Sequence, residues 1–160
     1  MKQFGIAMLI FATDFFSKKI ISKRLKEEEK KEIVKNRFYL WHIKNKGAAY
    51  NSFEGYMTAI KCISVAGIVF CIIQLLQERK KSAKATNTIA YSFLLGGALG
   101  NLFERVKYGF VTDFLYIHHN KLKSFQTLRE KSLPIFNIAD IFVALGGGLL
   151  MILCFLKKEN

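Results

Sequence analysis

Long charge-free stretches alternate with densely charged ones along this chain. Residues 62–77 (CISVAGIVFCIIQLLQ), 85–103 (ATNTIAYSFLLGGALGNLF) and 141–156 (IFVALGGGLLMILCFL) carry no charged side chain. Crossing a hydrocarbon layer ~30 Å thick takes ~20 mainly apolar residues, so these blocks extend to predicted spans at 56–77, 85–103 and 133–156. A fourth stretch, 3–22, holds Asp14, Lys18 and Lys19, and a lone charge near the bilayer centre costs at least ~2.5–3.5 kcal/mol. Asp14 and Lys18 are four residues apart, so one helix face carries both and they can neutralise each other; the lysines also sit near the segment's end, where they can snorkel. A cleaved signal peptide would need a small-residue cleavage site where Lys18, Lys19 and Ser22 stand. The pattern therefore predicts an all-α integral membrane protein of four transmembrane helices, forming a single membrane domain over residues 1–160.

Between the spans lie a loop at 23–55, a short turn at 78–84 and a loop at 104–132. The two long loops share one membrane face; the termini share the other with the short turn. The run KRLKEEEKKEIVK reads as a solvated or head-group-facing continuation of the first helix. It gives way to RFYLWHIKN, whose period of two, bounded by Asn45-Lys46-Gly47, predicts a short strand or hairpin. Trp41 and its aromatic neighbours suit the interfacial belt. Pro134, the single proline, marks the start of the last span, as a proline in the first helical turn does. Basic residues leave orientation open. The short turn is dense in them, with Arg79, Lys80, Lys81 and Lys84, which puts the termini in the cytoplasm, whereas the raw count in the long loops favours the reverse.

Composition narrows the partners. The net charge of +13 and pI of about 9.8 could suit a nucleic-acid binder, but the basic residues lie in the loops between spans. Anionic membrane lipids are the simpler partner, and no nucleic acid is expected. Cys62, Cys71 and Cys154 all fall inside spans and read as packing residues, with neither disulfide nor metal chemistry. His118 and His119 are adjacent with no Cys or acidic cluster beside them, so no metal site is expected. His42, in the aromatic stretch, reads as a packing or interface residue.

Polar groups at membrane depth are functional hypotheses by default. Here they are Asp14, Asn101, Arg105, Asp113, Asn137 and Asp140. Asp113 follows the third span and Asp140 comes early in the fourth, so both approach one membrane face. Gly96 and Gly100 give span three a small-xxx-small face, and Gly146, Gly147 and Gly148 thin span four, so the two helices can pack closely. Two carboxylates held close together cannot easily both ionise, which leaves one protonated and one charged. Such a pair can activate water and stabilise an oxyanion. An ion or proton pathway, or salt bridges with Arg105 and Lys107, would use the same residues.

These residues fall in four ordered motifs: Asp14-Phe-Phe-Ser-Lys18; Asn45-Lys-Gly47-Ala-Ala-Tyr50; Gly96-Gly-Ala-Leu-Gly-Asn101-Leu-Phe-Glu-Arg105 with Gly109-Phe-Val-Thr-Asp113-Phe114; and Pro134-Ile-Phe-Asn137-Ile-Ala-Asp140. Together they resemble the lipoprotein signal peptidase family, also called signal peptidase II or prolipoprotein signal peptidase. The resemblance implies four transmembrane helices with a small extracytoplasmic β-structure from the first loop. It also implies location in the bacterial cytoplasmic membrane, with cytoplasmic termini and an active site near the extracytoplasmic face. The implied activity is an aspartyl endopeptidase, acting as a monomer without a cofactor. It would remove the signal peptide of diacylglyceryl-modified prolipoproteins on the amino side of the lipidated cysteine. Asp113 and Asp140 match the catalytic aspartates. Asn45, Gly47, Asn101, Arg105 and Asn137 match supporting or substrate-binding positions, and Asp14 and Lys18 match residues that serve structure or substrate placement. Glu104 stands where the family more often has Asp, Tyr50 where it has Phe, and Ile141 where a small residue is usual. Residues 118–133 match no motif. A small polytopic transporter, or an inactive member that binds lipoproteins, is the alternative.

Overall fold

The computed structural model describes residues 2–47, 56–80, 85–118 and 135–158. These form helices α1 (Lys2–Arg24), α2 (Met57–Lys80), α3 (Ala85–Lys107) and α4 (Ile138–Lys158), and strands β1 (Lys30–Val34), β2 (Phe38–Asn45) and β3 (Val111–Ile117). Helix α3 is central and packs against the other three, while α1 also touches α4.

Glycines decide how closely these helices approach. A Cβ on Gly96 would lie 2.6 Å from the Ala7 carbonyl oxygen and 2.8 Å from the Ile10 Cβ, and one on Gly100 would strike the Asp14 carboxylate. The small-xxx-small face of α3 therefore receives α1, not α4. Contact with α4 is made one residue round the helix, where a Gly97 Cβ would meet the Ala139 carbonyl oxygen at 2.5 Å. Gly146 completes it, with the Ala90 carbonyl oxygen 2.8 Å from where its Cβ would be. Gly147 and Gly148 face open space, so only one of the three glycines on α4 serves helix approach. Cys71 packs in the α1–α2–α3 core with Ala7, Leu75 and Leu95, but Cys62 and Cys154 are exposed.

All four helices reach 21 residues or more. By length and composition, Met57–Glu78 and Ile138–Lys157 are apolar enough to cross a membrane, and α1 and α3 are not. Polar residues within α1 and α3 are buried, with Asp14 0% and Lys18 2% exposed and Asn101 and Glu104 also buried, while Lys19 and Lys107 near the helix ends are exposed. Large apolar side chains point outward, with Leu9 68%, Ile63 73% and Phe155 71% exposed.

The charge run after α1 is not a helical extension. The helix stops at Arg24, Glu28 takes a left-handed φ of 66°, and residues 30–34 form β1, antiparallel to β2 with Lys30 opposite Trp41 and Glu32 opposite Tyr39. Side chains favour the ladder over the helix here. Lys30 Nζ lies 4.1 Å from the Tyr39 ring centre, 4.5 Å from that of Tyr116 and 5.0 Å from that of Trp41, all cation–π distances. The hairpin turn is centred on Asn36, at φ 54°, whose N–H donates to Glu32 Oε1 at 2.7 Å. The Asn45-Lys46-Gly47 turn ends β2 instead.

A third strand, β3, comes from the second long loop and pairs with β2, giving the order β1-β2-β3. The β-structure thus draws on both long loops. Its register shifts between Leu40 and Ile43, where His42 turns inward, with its Nδ1 3.0 Å from the Leu25 carbonyl oxygen. Phe114 packs with Ile21 and Leu25, and Leu40, Leu115 and Ile138 close that cluster. The sheet is thereby held on one end of the helix bundle.

Helix α4 starts at Ile138, five residues later than the predicted span. Phe136 pairs with Leu115 in an isolated bridge, so the chain stays extended until Asn137 caps the helix. Pro134 and most of segment 118–133 lie outside the described residues.

Candidate active site

The site is built where α1, α3, β2, β3 and the start of α4 meet. Four N–H groups at any helix start lack intrahelical partners. In α4, Asn137 Oδ1 accepts from the Asp140 N–H at 3.0 Å and Asp140 Oδ2 accepts from the Asn137 N–H at 3.1 Å. This reciprocal arrangement is a capping box. A third donor, the Ala139 N–H, is met at 2.9 Å by Asp14 Oδ1 from α1. The start of α4 is therefore fixed by side chains on two helices, and Asp140 is one of the fixing groups.

Asp113 reaches the same place from β3, where it lies opposite Ile43. It is 3% exposed. Asn45 Nδ2 donates to its Oδ2 at 2.9 Å and Asn137 Nδ2 donates to its Oδ1 at 2.7 Å. Asn137 thus binds both aspartates, Asp113 through its amide and Asp140 through its backbone. Burial, followed by repulsion from Asp140, pushes the Asp113 carboxyl up from 3.8 to about 7, although the two asparagine donors pull it down.

Each of the three asparagine amides has its orientation fixed by a second bond. The Gly47 N–H donates to Asn45 Oδ1 at 3.0 Å, which leaves Asn45 Nδ2 for Asp113. Lys18 Nζ donates to Asn101 Oδ1 at 2.9 Å and Asn137 Nδ2 donates to the same oxygen at 3.1 Å, which leaves Asn101 Nδ2 for Asp140 Oδ1 at 2.8 Å. Asn137 Oδ1 is held by the Asp140 N–H. All three NH₂ groups therefore face the carboxylates, and an amide has no other way to satisfy these partners.

Lys18 anchors the set from below. Its Nζ lies 2.7 Å from Asp14 Oδ2 and 3.6 Å from Glu104 Oε2, so a buried ammonium has acidic partners on two helices. Glu104 also accepts from the Thr112 N–H at 2.7 Å and from Thr112 Oγ1 at 3.0 Å. Those two hydrogen bonds fix the residue before Asp113, shortly after the turn at Gly109, whose φ of +77° suits glycine. Glu104 and Thr112 stand inside the matched motifs, but sequence reasoning gave neither a supporting role. Arg105 is half-buried; its Nη2 donates to the Gly47 carbonyl at 3.4 Å, and its buried Nε has no partner among the described residues.

All nine sequence-derived candidates thus fall in one connected region. Beside it runs an open groove of about 450 Å³, lined by Phe136, Ile141, Ala144 and Leu145, with Asp140 as its polar member. Ile141 lines this groove and leaves the Asp140 hydrogen bonds intact. No group of three or more His, Cys, Asp or Glu side chains suited to a metal ion occurs among the described residues.

A family model described as signal peptidase (SPase) II matches residues 6–156. The lipoprotein signal peptidase of Brevibacillus brevis is 35% identical over 162 residues, which cover 97% of this chain and 96% of that protein. That of Clostridium acetobutylicum is 32% identical over 137 residues, covering 86% of this chain and 82% of that protein. Among solved structures, one described as a bacterial membrane enzyme superposes with a TM-score of 0.80 at 28% identity, covering 99% of this chain and 90% of its own.

Proposed function

Because this chain belongs to the signal peptidase II family, and so is a membrane-bound lipoprotein signal peptidase, we propose that Asp113 and Asp140 are its catalytic pair and that its chemistry is of the aspartic type. The observation that carries this reading is Asn137, which hydrogen-bonds both carboxyl groups at once.

The environments divide the labour. Asp113 is the more deeply buried member and holds a proton up to about pH 7. Asp140 sits in the first turn of α4, where the helix N-terminus favours negative charge. Water between them loses a proton to Asp140 as its oxygen attacks the scissile carbonyl carbon. Asp113 gives its proton to the carbonyl oxygen, and a neutral tetrahedral diol forms. Collapse reverses these roles: Asp113 recovers its proton from one hydroxyl as the C=O re-forms, and Asp140 hands its proton to the departing nitrogen as the C–N bond breaks. Arg105, with a buried donor to spare, supplies a hydrogen bond to a substrate carbonyl.

The substrate in this reading is a prolipoprotein whose cysteine carries diacylglycerol, cut on the amino side of that cysteine. The groove beside Asp140 is apolar and open, which suits a substrate that arrives from the bilayer. All four helices span the membrane: the buried polar residues of α1 and α3 are compensated by one another, and the exposed Lys19 and Lys107 stand near the helix ends, where lysines reach the interface. The sheet and the site lie at the extracytoplasmic face, and the termini lie in the cytoplasm. The enzyme acts as a monomer among membrane lipids. A transporter is disfavoured because the polar residues gather at one end of the bundle and form no path across it.

Cleavage of a diacylglyceryl-modified prolipoprotein by the purified protein tests the assignment. Asp113→Asn and Asp140→Asn, measured separately, each reduce cleavage to near background. Full activity in either variant overturns the pair.

A further inference from the structure

On the bundle face formed by α1 and α3, Met8, Phe11, Leu99, Leu102, Phe103 and Val106 line an open groove of about 620 Å³, with Lys107 at one end. The two helices run parallel here, since Gly96 meets Ala7 and Ile10 while Gly100 meets Asp14. From Met8 to Lys19 helix α1 rises about 16 Å at 1.5 Å per residue. That matches one leaflet of a hydrocarbon core ~30 Å thick. The α3 side of the groove, Leu99 to Lys107, rises about 12 Å at 1.5 Å per residue, most of that depth, and Lys19 stands just above it.

Its upper rim is basic. Phe15 and Phe103 meet edge to face at 5.5 Å, and each carries a lysine: Lys19 Nζ lies 5.9 Å from the Phe15 ring centre and Lys107 Nζ 5.4 Å from that of Phe103. Neither lysine forms an ion pair among the described residues. Lys18, one residue away, has two acidic partners. Two ammonium groups without an ion pair among the described residues, over the same aromatic pair at the head of an apolar groove, lack only an anion.

We propose that this groove is a binding site for an anionic glycerophospholipid, with one acyl chain along α1 and α3 and its phosphate between Lys19 and Lys107. The lipid belongs to the leaflet on the side of the carboxylate pair. It seals the seam between the helices that contribute Lys18 and Asn101 to the site. The proposal rests on α1 and α3 spanning the membrane but not on the catalytic assignment.

Native mass spectrometry of the protein released from nanodiscs with equal phosphatidylglycerol and phosphatidylcholine, identical in their chains, tests it. One phosphatidylglycerol is retained in preference, by on the order of five-fold for each lysine near the surface. Lys19→Gln with Lys107→Gln abolishes the preference, Val106→Trp displaces both lipids by filling the groove, and Lys31→Gln on the sheet changes neither. Equal retention of the two lipids by the unaltered protein overturns the proposal, as does a preference that survives loss of both lysines. Displacement of the retained lipid by a diacylglyceryl-modified lipopeptide overturns it too, by giving the groove to the substrate. Because the readout is a count of bound lipid, it stands or falls separately from any loss of cleavage.

Discussion

Asp113 links the titration of a single carboxyl to both activity and stability. Its folded-state value of about 7 lies above the unfolded value of 3.8, so the native state binds the extra proton between them. The stability this group contributes is fully present below pH 3.8 and is lost as pH rises through about 7. Melting midpoints in detergent should fall across that window and then level off, and Asp113→Asn should flatten the dependence. On the proposed mechanism, in which the proton held by Asp113 is given to the carbonyl oxygen, cleavage by the unaltered protein should decline as pH rises through about 7.

Amide orientation makes a second residue-scale prediction. Asn101→Leu removes one donor to Asp140 and also the acceptor of Lys18, so cleavage should drop on the order of a hundredfold. Asn101→Asp should not rescue it, since a carboxylate cannot donate to a carboxylate. The sequence indicated which polar residues gather at one face, because intramembrane polar groups are rare and costly. It could not indicate that three amides point the same way, because the carboxylates they face lie 24 to 68 residues distant in the chain. It also left acid and base undivided between Asp113 and Asp140; the division proposed above draws on burial and on the start of α4, which a sequence does not display.

At the scale of elements, the glycines rank themselves. Gly100→Ala drives a methyl group into Asp14, the residue that pairs Lys18 and holds the Ala139 N–H. Overpacking of this kind costs about 1–3 kcal/mol, and here it also disturbs the start of α4, so melting temperature and cleavage should fall together. Gly147→Ala, with open space around it, should leave both unchanged or raise stability slightly through the better helix propensity of alanine. The presence of helices was legible from apolar runs, but their partners were not, since Gly96, Gly97 and Gly100 look alike in a sequence while serving two different neighbours. Strand β1 was illegible for another reason. KKEIV carries no period-two apolar signal, and its ladder is favoured by aromatic rings on β2 and β3 that only the fold brings beneath Lys30.

For the whole molecule, polarity is partly inverted relative to a water-soluble bundle: Asp14, Lys18, Glu104 and Asp113 are buried, while many large apolar side chains, Leu9, Ile63 and Phe155 among them, are exposed. That inversion explains why α1 and α3 are not apolar by composition and yet present apolar surfaces. With the native cysteines replaced, a cysteine placed at Lys31 should react with a membrane-impermeant maleimide added outside spheroplasts. One placed at Lys157, at the opposite end, should react only after lysis. Reaction of both from outside would remove the four-span topology, whatever the fate of the catalytic pair.

The bond from Asp14 to the Ala139 N–H joins residues 125 positions apart, and it bears on how the protein is made. During synthesis the first helix enters the membrane long before the last has left the ribosome. Until then Asp14 lacks its second partner, Asn137 is absent, and Asp113 stands without its companion acid. With Asp113 and Asp140 as the proposed pair and four spans as the proposed topology, a half-made chain has no competent hydrolytic centre, and the protease acquires its cutting power only when its fourth helix is inserted.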